Sequence, residues 1–212
     1  MGAAVSEIPL AMDSDKRRQI IEGARAVFLA LGFDAASMSD IARKAGVSKG
    51  TLYVYFDSKE ALFQAIAHEQ CHSQAEQVFA LDHEDHDVEG VLTRLGTNFV
   101  RFLCRPERVA PVRTIISISE RMPDVGRQFY ETGPVTGISR VAAYLEAQIA
   151  AGVLEIEDSE IAAAQFLESC VATLLKPILF GFGAVPSEER IDRVVRIWTV
   201  ADLLKKRGVR PR

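Results

Sequence analysis

One short stretch of the chain carries side chains that could read the edges of DNA base pairs. Lys49 can donate to guanine O6 and N7 or to a phosphate, and Thr51 can donate to a base edge or contact a thymine methyl group. Gly50 lets a backbone approach closely, and Tyr53 can contact a base or a phosphate. Phosphate oxygens are the expected partners of four residues near helix starts: Ser37, Ser48, Tyr55 and Lys59.

These residues fall on a predicted helix-turn-helix, in which two short helices meet across a turn. Ser37 followed by Asp40 is a capping box that starts the first short helix, and Gly46 supplies the positive φ of a tight turn. Ser48 caps the second short helix, which runs through Phe56. Such a scaffold projects the outward face of its second helix into the DNA major groove. The alternative is a helical corner in an unrelated bundle, whose serines merely end helices.

Each side chain also has an ordinary structural interpretation. Most lysines are solvated surface charges, and that interpretation stays open for Lys49 and Lys59. Tyr53 and Tyr55 can be partly buried packing residues, and one side chain can serve both purposes. The DNA-contact prediction therefore depends on where the second helix places these residues.

A second pattern has the H-E-x-x-H spacing of zinc hydrolases. His68 and His72 would lie one turn apart on a helix as metal ligands, with Glu69 as a general base. The longer form of the motif needs glycine and histidine where Ala75 and Val78 stand. We therefore predict no enzyme and no cofactor. A metal-sensing site in the histidine-rich stretch 68–86 is a weaker alternative to a solvated polar helix end.

The composition is that of an ordinary globular protein. The chain has 212 residues, 48% hydrophobic and 25% charged, which allows one large domain or two smaller ones. Residues 1–59 carry 8 basic and 7 acidic side chains, and the remainder carries 17 and 22, so the net charge of -4 arises in the C-terminal part. This balance excludes binding of nucleic acid through bulk charge but allows a local patch. The 3 widely spaced cysteines fit a reducing cytoplasm, and no secretory signal or membrane span is apparent.

Apolar spacing predicts an all-α chain with about nine or ten helices. A first helix is expected from Asp15 to Leu31, with Gly32 as its stop, and a fourth helix begins at Ser58. The predicted domains are a helix-turn-helix unit at residues 14–60 and a larger helical bundle at residues 61–212. Within the bundle, helices are predicted at 88–105, 107–120, 137–151, 159–180 and 187–206, with joints at Pro123, Gly133 and Pro134.

The N-terminal part resembles the TetR/AcrR family of bacterial transcriptional regulators. The resemblance covers about fifty residues. It lies in the runs Ala24–Phe28, Gly32-Phe33, Ser37–Ala42, Ala45–Phe56 and Ser58–Leu62. It implies a three-helix DNA-binding unit, a fourth linking helix, a helical regulatory domain and a homodimer. The family often has a hydroxyl residue where this chain has Ala36 and a basic residue where it has Ser39, so one phosphate contact is expected to be missing.

Two short runs in the C-terminal part, Phe102–Glu107 and Phe129–Glu131, resemble the AefR-like subgroup of that family. The chain is thus predicted to be a cytoplasmic, homodimeric, ligand-responsive regulator, a repressor rather than an activator, with a near-palindromic double-stranded DNA operator. Two recognition helices of a dimer would lie about 34–36 Å apart. A helical adaptor that binds no duplex is the remaining alternative.

Two further sets of residues are predicted for the bundle. Because helical bundles bind small molecules between helices, an effector pocket is expected among aromatic residues, although the same residues suit a core. Its candidates are Phe99, Phe102, Phe129, Tyr130, Phe166 and Cys170, of which Cys170 alone fits an inert packing residue best. The candidates for the contact between subunits are Ile161, Phe166, Leu174, Ile191, Val194, Val195, Trp198 and Leu203.

Overall fold

The computed structural model describes residues 10–66 and 78–201, with side chains at 14–66 and 78–197. All regular structure in these residues is helical and none of it is β-strand, which confirms the predicted all-α fold. The chain forms two compact units, the first ending at Gln70 and the second beginning at Cys71. Among the helices described, none has the length and apolar character needed to cross a membrane.

The first unit is built from one long helix and three further helices around one apolar core. Helix α1 spans Leu10–Ala35, α2 Met38–Ala45 and α3 Lys49–Tyr55, and residues 59–66 form the described part of α4. The predicted stop at Gly32 is a kink within α1, where φ is 77° and ψ is 166°. The core contains side chains from all four helices, including Ile20, Ile21, Ile41, Leu52, Leu62 and Ile66.

A close approach of two backbones fixes α2 against α1. A Cβ atom on Gly23 would lie 2.7 Å from Ala45 Cβ and 2.8 Å from the Ala45 backbone, so only glycine allows this distance. Beside it, Gln19 Nε2 donates a hydrogen bond of 2.6 Å to the carbonyl of Ala45 and satisfies one acceptor at the end of α2. The helix-turn-helix is therefore attached to α1 by packing and by hydrogen bonding.

The second unit is a larger helical bundle. α8 packs on α9, and α11 packs on α5 and α9. Their apolar faces share one core that includes Val100, Tyr144, Cys170 and Val195. The helices are α5 Val88–Leu103, α6 Pro106–Ile118, α7 Pro123–Tyr130, α8 Thr136–Ala150, α9 Ser159–Val171, α10 Leu175–Leu179 and α11 Glu188–Ala201.

Two prolines change the predicted helix boundaries. The expected joint at Gly133 and Pro134 is wrong, because a π-helix at Glu131–Val135 carries the chain from α7 into α8. A π turn accommodates a proline that lacks an N–H group, and Thr136 Oγ1 donates to the carbonyl of Glu131 at 3.1 Å. The single helix predicted at 159–180 is divided into α9 and α10, because Pro177 has no N–H to bond the carbonyl four residues earlier.

A buried polar network holds the loop at 82–87 against α8. The Tyr144 hydroxyl donates to the carbonyl of Asp85 at 2.9 Å, and Gln148 Nε2 donates to the carbonyl of His83 at 2.8 Å. His86 Nδ1 lies 2.7 Å from Gln148 Oε1 and is the donor of that pair, because the amide oxygen can only accept. Burial, with the nearby charge of Asp85, raises the pKa of Tyr144 to about 12.

Candidate nucleic-acid interface

The first short helix of the helix-turn-helix begins with the predicted capping box. Ser37 lies in an extended conformation as the N-cap of α2, and its Oγ accepts from the backbone N–H of Asp40 at 3.2 Å. The Ser37 hydroxyl also donates to the Asp40 carboxylate. This hydrogen bond, together with the Arg43 guanidinium 2.6 Å away, lowers the pKa of the Asp40 carboxyl. Ser37 is exposed, but both of its hydrogen-bonding functions are used inside α2.

The turn between α2 and α3 depends on Gly46. This residue has φ 65° and ψ 34°, a left-handed conformation that disfavours a side chain. The backbone N–H of Val47 donates to the carbonyl of Ala42 at 3.0 Å, and the Val47 side chain packs on the core of the first unit. The predicted positive φ at Gly46 is confirmed, and α3 starts immediately after this turn.

α3 begins with a hydroxyl pair. Ser48 Oγ accepts from the backbone N–H of Thr51 at 3.0 Å, which confirms the predicted cap. Ser48 Oγ also lies 2.8 Å from Thr51 Oγ1, so one hydroxyl hydrogen of the pair joins the two oxygens. The other hydroxyl hydrogen remains to donate to a phosphate or a base edge. Ser48 and Thr51 therefore offer one O–H donor between them rather than two.

The base-reading candidates lie on the accessible side of α3. Lys49 and Gly50 are exposed, Tyr53 is 50% exposed and Thr51 is partly buried. In the described part of the chain, no hydrogen bond or ion pair occupies the Lys49 ammonium group. A Cβ atom on Gly50 would approach only Ser48 Oγ, at 3.8 Å, so the space outside it is open.

The opposite side of α3 faces the core. Leu52 and Phe56 are buried there, while Tyr55 is half-buried and packs against the same core. Tyr55 is therefore a packing residue of the first unit, whereas Tyr53 is a surface residue. α3 is held by its apolar residues and presents the polar ones outward.

Lys59 is placed differently from the expectation that it binds phosphate. Its ammonium group donates to three carbonyls at the end of α1, those of Phe33 at 2.9 Å, Asp34 at 3.1 Å and Ala36 at 3.2 Å. It also lies 4.7 Å from the centre of the Phe33 ring. An ammonium group has three N–H donors, and all three are used within the fold. Lys59 therefore joins the start of α4 to the end of α1.

Sequence reasoning missed one exposed residue of α3. Val54 is 76% exposed and follows Gly50 by four residues and Thr51 by three, so it lies on their face of the helix. The spacing alone could have identified it. The Val54 side chain has no hydrogen-bonding group, which is the feature by which Lys49, Thr51 and Tyr53 are recognisable as base-reading candidates.

The residues predicted for the effector pocket lie in several different environments of the second unit. Phe166 and Cys170 are buried in the core of the second unit, and Phe99 packs on that core with its ring 5.6 Å from the ring of Phe79. Phe102 is partly buried beneath the Arg108 guanidinium, Phe129 is partly buried and Tyr130 is exposed. For Phe166 and Cys170, the core interpretation is therefore the one that the structure supports.

Two cavities lie among the described residues of the second unit. The larger, about 620 Å³, lies between α8 and the segment that precedes α5, and its lining includes Phe79, Leu81, His83, Ser139 and Arg140. The smaller, about 430 Å³, is lined by residues of α9, α10 and α11, including Ala172 and Ile197. None of the six predicted pocket residues lines either cavity.

The two buried cysteines, Cys104 and Cys170, have thiols of low reactivity. Burial raises the pKa of the Cys104 thiol to about 11 and that of the Cys170 thiol to about 12. Because the thiolate is the reactive form, neither residue has the environment of a redox sensor. This agrees with the packing role expected for Cys170.

Four of the eight predicted subunit-contact residues lie in the core of their own chain. Phe166, Leu174, Ile191 and Val195 are buried within the second unit, which favours a core role for these four over a contact with a second subunit. An apolar helical stripe marks the inward face but does not distinguish an internal core from an interface. Ile161 is 56% exposed and Val194 is partly buried; the side chain of Trp198 and residue Leu203 lie outside the described part of the chain.

His68 and His72, the candidate ligands of the alternative metal site, also lie outside the described residues. Among the residues that are described, no three His, Cys, Asp or Glu side chains are grouped so that they could hold a metal ion. Of the histidine-rich stretch, His83 and His86 are described. His86 Nδ1 is used in the hydrogen bond to Gln148.

Two family models match the chain, one for each unit. Residues 20–66 match the family described as "Bacterial regulatory proteins, tetR family", which covers the helix-turn-helix. Residues 90–199 match the "AefR-like transcriptional repressor, C-terminal domain", which covers just over half of the chain. Both matches agree with the resemblances found in the sequence.

Curated relatives match mainly the N-terminal part. The chain is 42% identical to the HTH-type transcriptional regulator YvdT of Bacillus subtilis over 79 residues, 37% of this chain and 41% of that protein. It is 49% identical to the A-factor receptor protein of Streptomyces griseus over 53 residues, 25% of this chain and 19% of that protein. The chain thus spans less than half the length of these relatives.

Solved structures match nearly the whole chain. A protein described as a TetR-family transcriptional regulator from Mesorhizobium loti MAFF303099 has a TM-score of 0.84 at 29% identity, over 96% of this chain and 100% of that one. The flavonoid-responsive regulator FrrA has a TM-score of 0.79 at 35% identity, over 91% of this chain and 97% of that one. The arrangement of helices in this chain is therefore one that known regulators share.

Proposed function

Because this chain belongs to the tetR family of bacterial regulatory proteins, we propose that it represses transcription by binding an operator and releases it when a small molecule binds. In this proposal the predicted domain at residues 14–60, within the first unit, contacts DNA in the cytoplasm. The predicted domain at residues 61–212, which includes the second unit, dimerises and senses the effector. We assign the chain no catalytic activity.

The observation that carries this proposal is the exposed face of α3. Lys49, Gly50 and Tyr53 are accessible on a helix that Leu52 and Phe56 anchor from its other side. A short helix held this way and preceded by a tight turn has the geometry that enters a major groove. Had these side chains been buried, no route to a duplex would remain.

The contacts divide into two roles. Lys49 and Tyr53, with the hydroxyl donor shared by Ser48 and Thr51, are proposed to contact base edges, where sequence is distinguished. Tyr55 is proposed to contribute a phosphate contact. Ser37 is removed from the phosphate-contact group because its one O–H hydrogen donates to the Asp40 carboxylate. Lys59 is removed from that group because its three donors are used within the fold.

We propose that a homodimer recognises a near-palindromic operator. A two-fold dimer would present two copies of α3 to successive major grooves, about 34–36 Å apart. Exposed apolar residues on α9 and α11, Ile161 and Ile197, are the proposed centre of the contact between subunits. Isologous interfaces of this kind use the same patch on both subunits.

The effector is proposed to be a small organic molecule. The cavity of about 620 Å³ is within the range of ligand pockets, and it combines apolar walls from Phe79 and Leu81 with polar groups from Ser139 and Arg140. A molecule bound there would release DNA only if it favours a state in which the two copies of α3 have the wrong spacing. FrrA, a structure of similar fold, is named as flavonoid-responsive.

Selection of bound sequences from a random duplex library, followed by competition at two salt concentrations, tests the proposal. A repressor enriches one near-palindromic sequence and keeps its preference over random DNA when salt lowers both affinities. A helical adaptor binds no duplex in a salt-dependent way. A zinc hydrolase built on His68 and His72 would instead contain stoichiometric zinc and lose its activity in His68→Ala.

A further inference from the structure

Val54 takes no part in the described core of the first unit. It is the most exposed large hydrophobic side chain described in that unit, at 76%, and it belongs neither to the core nor to the residues packed on it. A β-branched residue is also a weak helix former, so helix propensity gives no reason for valine at this position. Among the described residues its side chain therefore has no packing role, and it is available to a partner outside the chain.

Val54 shares one face of α3 with Gly50 and Thr51. Val54 lies one turn from Gly50, where the space outside the backbone is open, and next to Thr51. Lys49 and Tyr53, also one turn apart, form a polar row beside it. α3 therefore exposes two kinds of chemistry, and on the face shared by Gly50, Thr51 and Val54 the largest exposed apolar group is the isopropyl group of Val54.

The major groove offers one apolar group on the edges of its base pairs, the 5-methyl group of thymine. Valine has no donor or acceptor and no charge, so it can bind neither a phosphate nor a base heteroatom. Contact between the isopropyl group and a thymine methyl removes apolar surface of both from water. The same side chain placed against the polar edge of another base would displace water without replacing its hydrogen bonds.

We infer that Val54 is a specificity-determining residue that packs on the 5-methyl group of a thymine in each half of the operator. The inference rests on the proposed function and adds a base identity to it. Loss of one buried methyl group changes affinity about fourfold, so loss in both half-sites changes it about fifteenfold. Because no charge is involved, the dependence of affinity on salt stays unchanged.

Replacement of thymine by 2′-deoxyuridine tests this contact, since the replacement removes only the methyl group. The operator obtained by library selection is made with each symmetric pair of thymines replaced in turn. Dissociation constants are measured for the wild-type protein and for Val54→Ala. At one pair, deoxyuridine is expected to weaken the wild type about fifteenfold and Val54→Ala less than about twofold.

Leu29→Ala serves as the matched control, because Leu29 is 74% exposed on α1 and not on α3. This variant is expected to bind each duplex with the affinity of the wild type. Thermal unfolding of Val54→Ala is expected to match the wild type, since the side chain lies outside the core. If every replacement affects both proteins equally, or if Val54→Ala keeps the wild-type affinity and base preference, the inference is wrong while the repressor proposal stands. If the wild type selects no sequence, both fail.

Discussion

At the scale of single residues, Lys49 and Lys59 show what sequence can predict about a site. Both are lysines close to helix starts in the same motif, and each was expected to meet DNA. The structure leaves the Lys49 ammonium group exposed and directs that of Lys59 to three carbonyls. The difference arises because the fold places the end of α1 next to the start of α4. The spacing of residues along the sequence does not show that contact.

Lys59→Ala is expected to lower the free energy of unfolding by about 1–2 kcal/mol, because it leaves three carbonyls at the end of α1 without their donor. Operator affinity measured over a range of salt should keep the wild-type slope. A phosphate contact would instead reduce the slope of log affinity against log salt by about one. Chemical denaturation and salt titration of the same variant distinguish the two roles.

The buried thiols give a second prediction at this scale. In Cys71→Ser, the remaining thiols are Cys104 and Cys170, and their pKa values of about 11 and 12 leave less than about one thiolate in a thousand at pH 8. Folded protein at pH 8 should therefore react negligibly with a thiol-specific disulfide reagent until denaturant is added. Reaction of either thiol at the rate of the unfolded chain would show that burial does not protect it.

At the scale of elements, capping and turn chemistry were readable from the sequence because they depend on neighbouring residues. Ser37, Gly46 and Ser48 are placed as their local chemistry requires. The errors occurred where a distant or compensating interaction decides the outcome. Pro134 lies within a helix because a π turn accommodates it, and periodicity gives no sign of such a turn.

The packing of α1 on α2 gives the prediction for this scale. Gly23→Ala should destabilise the protein by about 1–3 kcal/mol, since its Cβ would clash with the backbone of Ala45. Gly50→Ala is the matched comparison: its Cβ would approach only Ser48 Oγ, at an ordinary contact distance of 3.8 Å, so stability should hold while operator affinity falls. Thermal unfolding and operator binding of both variants provide the check. Equal stability of the two variants would mean that α1 and α2 are not held by this close approach.

At the scale of the whole molecule, the helical class follows from apolar periodicity, whereas length alone allowed one domain or two and the division was implied by the family resemblance. Periodicity does not show whether an apolar face packs in the core of its own chain or against a second subunit. Phe166 and Val195 were assigned to a subunit contact, yet they form the core of the second unit. Buried stripes and interface stripes have the same composition, so sequence could not separate them, whereas exposure can.

Only an exposed apolar residue is available to a second subunit, so the prediction for the dimer is made at Ile197. Ile197→Glu places a charge on a residue that is 58% exposed on α11, and it is expected to leave the fold intact while converting dimers to monomers. Sedimentation equilibrium measures the change in mass, and the operator affinity should fall because the two half-sites are no longer bound together. Leu29→Glu, on α1, should remain dimeric. A dimeric Ile197→Glu would place the contact elsewhere.

The most direct measurement is the binding of Lys49→Ala and Thr51→Ala to the selected operator and to a scrambled duplex of the same length. If the exposed face of α3 recognises bases, each variant should lose about 1–3 kcal/mol on the operator and less than about 0.5 kcal/mol on the scrambled duplex. Equal losses on both duplexes, or no loss on either, would contradict the account that α3 distinguishes DNA sequence.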